Sequence, residues 1–258
     1  MEISLLASGS KGNSIAVRKG GHTFLIDAGL SGREMSKRMR MASIDENTLK
    51  ALVISHDHSD HVKGAGVICR KYNIPLFINK ISYRVVQKRL GKISKLNFIK
   101  NGNPFRLGNL TIEPFSSPHD SASSSCFRIE DNTTGRSLAV LTDLGYPTKL
   151  IVEKIRSVST IILESNHDIQ KLINGRYPWR LKQRIKSKRG HLSNKQAAEL
   201  IQQILHKELR NIILAHLSEE NNEAKLAYDT MSRVLSENDS KCSLTIADQY
   251  TPTKIIKV

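Results

Sequence analysis

The stretch Ala51-Leu52-Val53-Ile54-Ser55-His56-Asp57-His58-Ser59-Asp60-His61 runs an apolar segment directly into a cluster of metal-binding side chains. Residues 51–54 read as a buried strand, and the loop leaving its end carries three imidazoles and two carboxylates. Clustered histidines repel one another when protonated and need polar partners when neutral, whereas divalent metals bind neutral imidazole and carboxylate at about 2.0–2.2 Å. The spacing offers two ligand pairs. His56 and His58, two apart in extended chain, can aim the same way, while Asp60 and His61 begin the next helical period and can face a second ion. A helix N-terminus repels a cation, and Asp60 there also offsets the dipole.

Two ions need more ligands, and the chain supplies candidates at the ends of other apolar strands: His119 after Ile112–Phe115, Asp143 after Leu138–Thr142, and His216 after Ile212–Ala215. Taken singly, each reads more readily as a satisfied structural residue; together with the first motif they become candidate ligands on one rim of a sheet. Around them, Ile3–Ala7, Ile15–Arg18 and Thr23–Asp27 read as a β-meander with glycine turns. Helical periods cover Arg33–Met41, Asp60–Tyr72, Tyr83–Leu90, Lys149–Ser157, Asn194–Leu205 and Glu223–Leu235. Further strands are expected at Leu76–Ile78, Leu110–Phe115, Cys126–Glu130, Thr160–Leu163, Asn211–Ala215 and Leu244–Ile246, with a hairpin turn at Asn132–Gly135. Such a mixed order points to an α/β architecture of helices layered on sheet.

Composition narrows the class. The chain of 258 residues holds 40 Lys+Arg against 24 Asp+Glu, a formal charge of +16, which favours a polyanionic partner. From Val62 to Ile112 there is no acid, while Lys63, Arg70, Lys80, Arg84, Lys88 and others supply positive charge. Cys69, Cys126 and Cys242 are odd in number and widely spaced, which suits buried thiols better than a disulfide framework or a zinc site. Met1–Leu6 has an acid where a signal peptide needs positive charge, and no apolar run reaches membrane-spanning length. A cytoplasmic protein is expected.

The H-x-H-x-D-H motif, the later His119, Asp143 and His216 in that order, and the segments Leu6–Ser14, Thr142–Gly145, Glu164–Asp168, Tyr177–Lys182, Gly190–Asn194 and His216–Asn222 together resemble the metallo-β-lactamase superfamily, within it the YycJ/WalJ group. The resemblance implies a four-layer αββα sandwich and metal-dependent DNA exonuclease activity. It implies one metal on His56, His58 and His119, a second on Asp60, His61 and His216, and Asp143 bridging both. Residues 1–258 are then one domain, too short for the inserted β-CASP domain of related nucleases.

Two ions sharing a carboxylate can lower the pKa of a bound water from 15.7 to about 7, and the resulting hydroxide suits phosphodiesters, amides or thioesters alike. Zn²⁺, Mn²⁺ and Fe²⁺ all remain open as the metal. Gly190-His191-Leu192-Ser193-Asn194 precedes a helix, so Ser193 or Asn194 is a natural cap and the free backbone N–H groups form an anion site with His191 beside it, a plain helix cap with a surface His being the alternative. Glu164 and His167 leave another strand end. By resemblance to acid pairs in related nucleases, Glu164 and His191 form a proton-donating pair, with an ordinary salt bridge as the equal alternative. Arg176, Arg180, Lys182, Arg184, Lys186, Lys188 and Arg189 lead into this region without an acid, and Tyr177 and Trp179 offer faces for bases unless Trp179 packs in a core. The expected function is a phosphodiesterase on DNA, or on RNA, working 5′-to-3′, a polarity that no residue fixes. A small-molecule hydrolase of the same fold is the alternative, and a scaffold without turnover is disfavoured by the full ligand set.

Overall fold

The computed structural model describes residues 1–258. One sheet contains β1 (Glu2–Ala7), β2 (Ser14–Lys19), β3 (His22–Ile26), β4 (Leu49–Val53), β5 (Leu76–Asn79) and β6 (Leu96–Ile99), with β14 (Ile256–Lys257) beside β1. The other, in spatial order reversed from the chain, contains β7 (Phe105–Leu107), β8 (Leu110–Ser116), β9 (Ser125–Asp131), β10 (Ser137–Leu141), β11 (Thr160–Glu164), β12 (Asn211–Ala215) and β13 (Ser243–Ile246). Each sheet has seven strands. Helices α1 (Gly32–Met41), α2 (Ser59–Val62), α3 (Ala65–Tyr72) and α4 (Lys80–Leu90) follow the first sheet's strands, and α5 (Lys149–Ile155), α6 (Ile169–Asn174), α7 (Trp179–Lys186), α8 (Asn194–Ile204) and α9 (Ala224–Glu237) follow those of the second.

Alternation along the strands builds three cores, which is the expected αββα layering. On β4, Ala51 and Val53 face the other sheet while Leu52 packs under α1 and α3; on β11, Ile162 faces inward while Ile161 and Leu163 meet α5 and α8. Each fully buried aliphatic side chain of this kind contributes about 1.5–3 kcal/mol. Strands β3, β4 and β5 run parallel, as do β10, β11 and β12. Their C-terminal ends release the loops that carry the histidines and carboxylates.

Several boundaries differ from the sequence reading. The helix expected over Asp60–Tyr72 breaks at Lys63-Gly64, where the Gly64 N–H donates to Ala28 O at 2.8 Å and a Cβ would sit 2.3 Å from Leu30 O. Backbone contact with the loop after β3 therefore replaces helix continuation. The edge strands β6, β7 and β14 escaped detection because they are short and half exposed, with too little alternation to read. The Asn132–Gly135 turn joins antiparallel β9 and β10, with Gly135 at φ +69° as its left-handed position requires. Cys69 and Cys126 are buried, and burial pushes both thiols up to about 12. No helix is long and apolar enough to cross a membrane.

Gly29 marks the tightest approach in this loop. An added Cβ would lie 1.6 Å from Asp60 O and 2.6 Å from the Asn13 nitrogen, so Gly29→Ala must push apart the two segments that frame the site. Overpacking of this kind costs about 1–3 kcal/mol. Thermal unfolding with and without metal should show a lower Tm and a smaller metal-dependent rise; an unchanged melting curve in both conditions would contradict the packing described.

Candidate metal centre

The loop after β4 delivers His56 and His58, and α2 delivers Asp60 and His61. His119 comes from the loop after β8, Asp143 from the end of β10 and His216 from the end of β12. Potential ligand atoms of His56, His58 and His119 lie within 4.8 Å of one another, as do those of Asp60, His61 and His216. Asp143 stands between the groups: Oδ2 is 3.0 Å from His61 Nε2, and Oδ1 is 3.6 Å from His119 Nε2 and 3.7 Å from His216 Nε2. His56 Nε2, His216 Nε2 and Asp143 Oδ2 are buried without a hydrogen-bond partner. Stranding three polar atoms in this way is costly unless a cation takes their lone pairs, so the donor set fits a pair of divalent ions.

The Beta-lactamase superfamily domain matches residues 22–216. The chain belongs to the metallo-β-lactamase superfamily. Exodeoxyribonuclease YycJ of Bacillus anthracis is 35% identical over 261 residues, covering 99% of this chain and 98% of that one. Exodeoxyribonuclease WalJ of Streptococcus pneumoniae is 37% identical over 240 residues, covering 92% of this chain and 88% of its own. The crystal structure of Zn²⁺-bound PqqB from Methylobacterium extorquens has the same fold, with a TM-score of 0.73 at 15% identity over 100% of both chains. The His/Asp clusters are those of a dinuclear metallo-β-lactamase site.

Hydrogen bonds behind the ligands set their tautomers. Asp27 Oδ2 takes His61 Nδ1 at 2.8 Å and the Ser55 hydroxyl at 2.8 Å, while its Oδ1 accepts the Ser55 N–H at 2.8 Å; His61 Nε2 is thereby turned toward the centre. Glu164 Oε1 is 2.8 Å from both His216 Nδ1 and His191 Nδ1, and its Oε2 accepts the Leu144 and Leu192 N–H groups at 3.0 and 2.9 Å. Asn13 Nδ2 donates to Asp60 Oδ2 at 3.1 Å, and the Ser8 hydroxyl accepts the His216 N–H at 2.7 Å. Asp27, Asp143 and His216 all hold left-handed backbone, at φ +61°, +56° and +55°, a strain of about 1–3 kcal/mol each that marks functional positions.

Electrostatics agree with this division. Burial dominates at His56 and, with the charges of neighbouring histidines, holds its pKa well below the ordinary value; at His119 burial lowers it. Burial also opposes charge on His61 and His216, but Asp143 and the other carboxylates around them outweigh it and raise both well above the usual value. Metal uptake therefore displaces protons from these two. At Glu164 burial is overcome by His191 and then His216, which bring the carboxyl down to about 2.

The remaining expected residues divide. Glu164 and His191 are brought together, and His191 and Arg184 line a cavity of about 290 Å³ with His58, Asp60, Asp143 and His216. Ser193, Asn194, His167 and Lys182 do not line it. Ser193 forms a capping box with Gln196, the Asn194 N–H is taken by His167 O, and the Asn194 side chain ties Ser165 to Asn222. The cap expected at this helix start is present, and Ser193 and Asn194 turn to it and to buried neighbours rather than to the cleft. Lys182 is likewise turned inward, its ammonium donating to Ile173 O and Gly175 O at 2.7 Å each. His167 is buried, and burial lowers its pKa to about 4. Trp179 is 63% exposed, so the packed-core alternative for it does not hold.

Sequence reasoning missed Asp27, Asn13 and Asp120 as parts of the site. Asp27 had a readable signal, an acid ending an apolar strand as Asp143 and Glu164 do; Asn13 had none beyond its glycine-rich loop. Because a carboxylate that holds the far nitrogen of a metal-binding imidazole carries about 10–100-fold in metal affinity, Asp27→Asn should weaken metal binding by that order without unfolding the protein. Competition with a chelator of known affinity, alongside circular dichroism, checks this. Equal affinity in the variant would remove Asp27 from the metal site.

Proposed function

We propose that the protein is a metal-dependent exodeoxyribonuclease that hydrolyses DNA from the 5′ end toward the 3′ end, with residues 1–258 forming one catalytic domain that lacks a β-CASP insertion. In this proposal His56, His58 and His119 hold one divalent ion, Asp60, His61 and His216 the other, and Asp143 both, with Zn²⁺ or Mn²⁺ as first candidates and Fe²⁺ as the next. The observation that carries it is the wall of the cleft: Tyr177, Leu181, Arg184 and Ile185, from the acid-free segment 176–189, line the same cavity as His58, Asp60, Asp143 and His216 of the ligand set. The YycJ and WalJ exodeoxyribonucleases, related over nearly the full chain, support DNA as the polyanion.

Bound in this set, two divalent ions supply Lewis acidity and a water of lowered pKa. The chain's own residues do the rest. His191 donates its Nδ1–H to the Glu164 carboxylate in a hydrogen bond and carries a second proton on Nε2 when cationic; burial opposes that charge, but Glu164 outweighs it and raises the pKa above the ordinary value. It is thereby equipped to pass a proton to the leaving oxygen. Arg184 faces the cleft, while Arg180 and Lys186, exposed on α7, meet flanking phosphates. Trp179 and Tyr177 offer stacking faces to bases. Asn166, with its Nδ2 on His216 O at 2.9 Å, supports the final metal ligand from below.

Metal-loaded protein given 5′- and 3′-labelled single and duplex DNA should release the 5′ label first, as short products. Log affinity should fall linearly with log salt, by roughly 0.9 per phosphate contact on duplex. Reversing charge at Arg180, Arg184 and Lys186 should flatten that slope and leave metal content alone. If DNA binding is absent at about 50 mM salt, where phosphate contacts are strong, the nuclease gives way to a small-molecule hydrolase.

His191→Ala should lower turnover by about 10²–10⁴-fold, the usual range for a lost general acid, with both metals retained. Metal analysis beside single-turnover rates reads the two effects separately. Loss of metal in this variant would make His191 a ligand instead of a proton donor.

A further inference from the structure

The carboxylate of Asp120, next in sequence to His119, has no part in the ligand groups described, yet it lines the same cleft. Its Oδ1 lies 3.4 Å from His119 Nε2, and its Oδ2 accepts from Arg184 Nε. A guanidinium has two hydrogen-bonding edges. Engaging Nε leaves the Nη1 and Nη2 groups of Arg184 free, and neither has a partner within the protein, although the side chain stands at the mouth of the metal cleft. A second arginine of the same segment, Arg189, donates through Nε and Nη2 to His119 O at 3.3 and 3.1 Å. The basic wall is therefore tied to the His119 loop at two points.

We propose that Asp120 is a positioning residue that fixes Arg184 as a phosphate clamp, with Nε on Asp120 and the outer Nη edge presented to the non-bridging oxygens of the phosphodiester lying over the metals. The inference rests on the phosphodiesterase reading above and adds to it the group that aims the cation. A free arginine in a polar cleft samples many rotamers; one held by a carboxylate at Nε keeps the planar fork ready for two parallel bonds to phosphate. Asp120 also keeps the guanidinium from folding onto Asp60 or Asp143, the other carboxylates of the cleft, where it would compete with a metal.

The test is a double-mutant cycle on zinc-loaded protein with Asp120→Ala, Arg184→Ala, the pair together, and Asp120→Asn. Inorganic phosphate binding is followed by NMR, through the Arg184 Nε–H in every protein that retains this arginine and through backbone amides of the cleft in all. Kinetics on labelled single-stranded DNA run in parallel. Loss of a charge-assisted contact should weaken phosphate binding and raise KM roughly 10–100-fold, with kcat and the zinc count kept, as expected for uniform binding lost. The double variant should be no worse than Arg184→Ala, and Asp120→Asn, which keeps an acceptor without the charge, should fall between. The wild-type Nε–H resonance should be exchange-protected and should lose that protection in Asp120→Ala. Additive losses, or an Nε–H indifferent to Asp120, would overturn the proposal, and loss of zinc in Asp120→Ala would reassign Asp120 as a ligand. If wild-type protein leaves DNA intact while phosphate binding still shows the coupling, the clamp stands and the nuclease reading fails.

Discussion

Everything at the cleft depends on keeping one carboxylate, Asp143, ionised and buried between imidazoles. An isolated buried carboxylate would take up a proton to escape its desolvation penalty. Here burial pushes its pKa up, but His216, His61 and His56 outweigh this and hold it well below the usual value. The backbone follows that demand. Asp143 leaves β10 in the left-handed region, at φ +56°, and the Ser117 hydroxyl donates to its carbonyl at 2.8 Å. Such a constellation persists because β10 is held between antiparallel β9 and parallel β11, and it acquires its full value once cations replace the imidazole protons.

The two sheets contribute different halves of the centre. The first sheet brings His56, His58, Asp60 and His61, braced by Asp27 and Asn13; the second brings His119, Asp143 and His216, braced by Glu164. The inter-sheet core of Ile3, Val53, Phe127, Ile162 and their neighbours is therefore what sets the spacing between the metal sites. Close packing makes that spacing stiff. Beside this ligand set lies a basic wall, α7 with its flanking loops, linked by Arg189 and Arg184 to the loop of His119. In the proposed function this wall would draw an anionic substrate to the metal ligands beside it.

Much of this was legible in the chain because metal chemistry constrains residue types sharply. The seven ligand candidates and Glu164 converge where apolar strands end, a pattern that strand periodicity and the H-x-H-x-D-H spacing already carried, whereas the pairing of Glu164 with His191 came from the resemblance to acid pairs in related nucleases. What escaped was local backbone competition. The hydroxyl of Ser193 and the amide of Asn194 looked available for an anion, but Ser193 caps helix α8 and the Asn194 N–H donates to His167 O. Lys182 sat in a run of exposed cations, yet its helical phase turns it inward to the carbonyls that end α6. A break such as Lys63-Gly64 is invisible to periodicity because its cause, the Ala28 and Leu30 carbonyls, lies more than thirty residues earlier in the chain.

The most direct test is anomalous X-ray scattering from crystals of the protein loaded with Mn²⁺ or Zn²⁺. Two peaks per chain are expected, one among His56, His58 and His119, the other among Asp60, His61 and His216, separated by about 3.5–4 Å as in two-metal hydrolases and each in contact with Asp143. A single peak at saturating metal in protein that cleaves DNA at full rate, or two peaks that Asp143 does not touch, would contradict it.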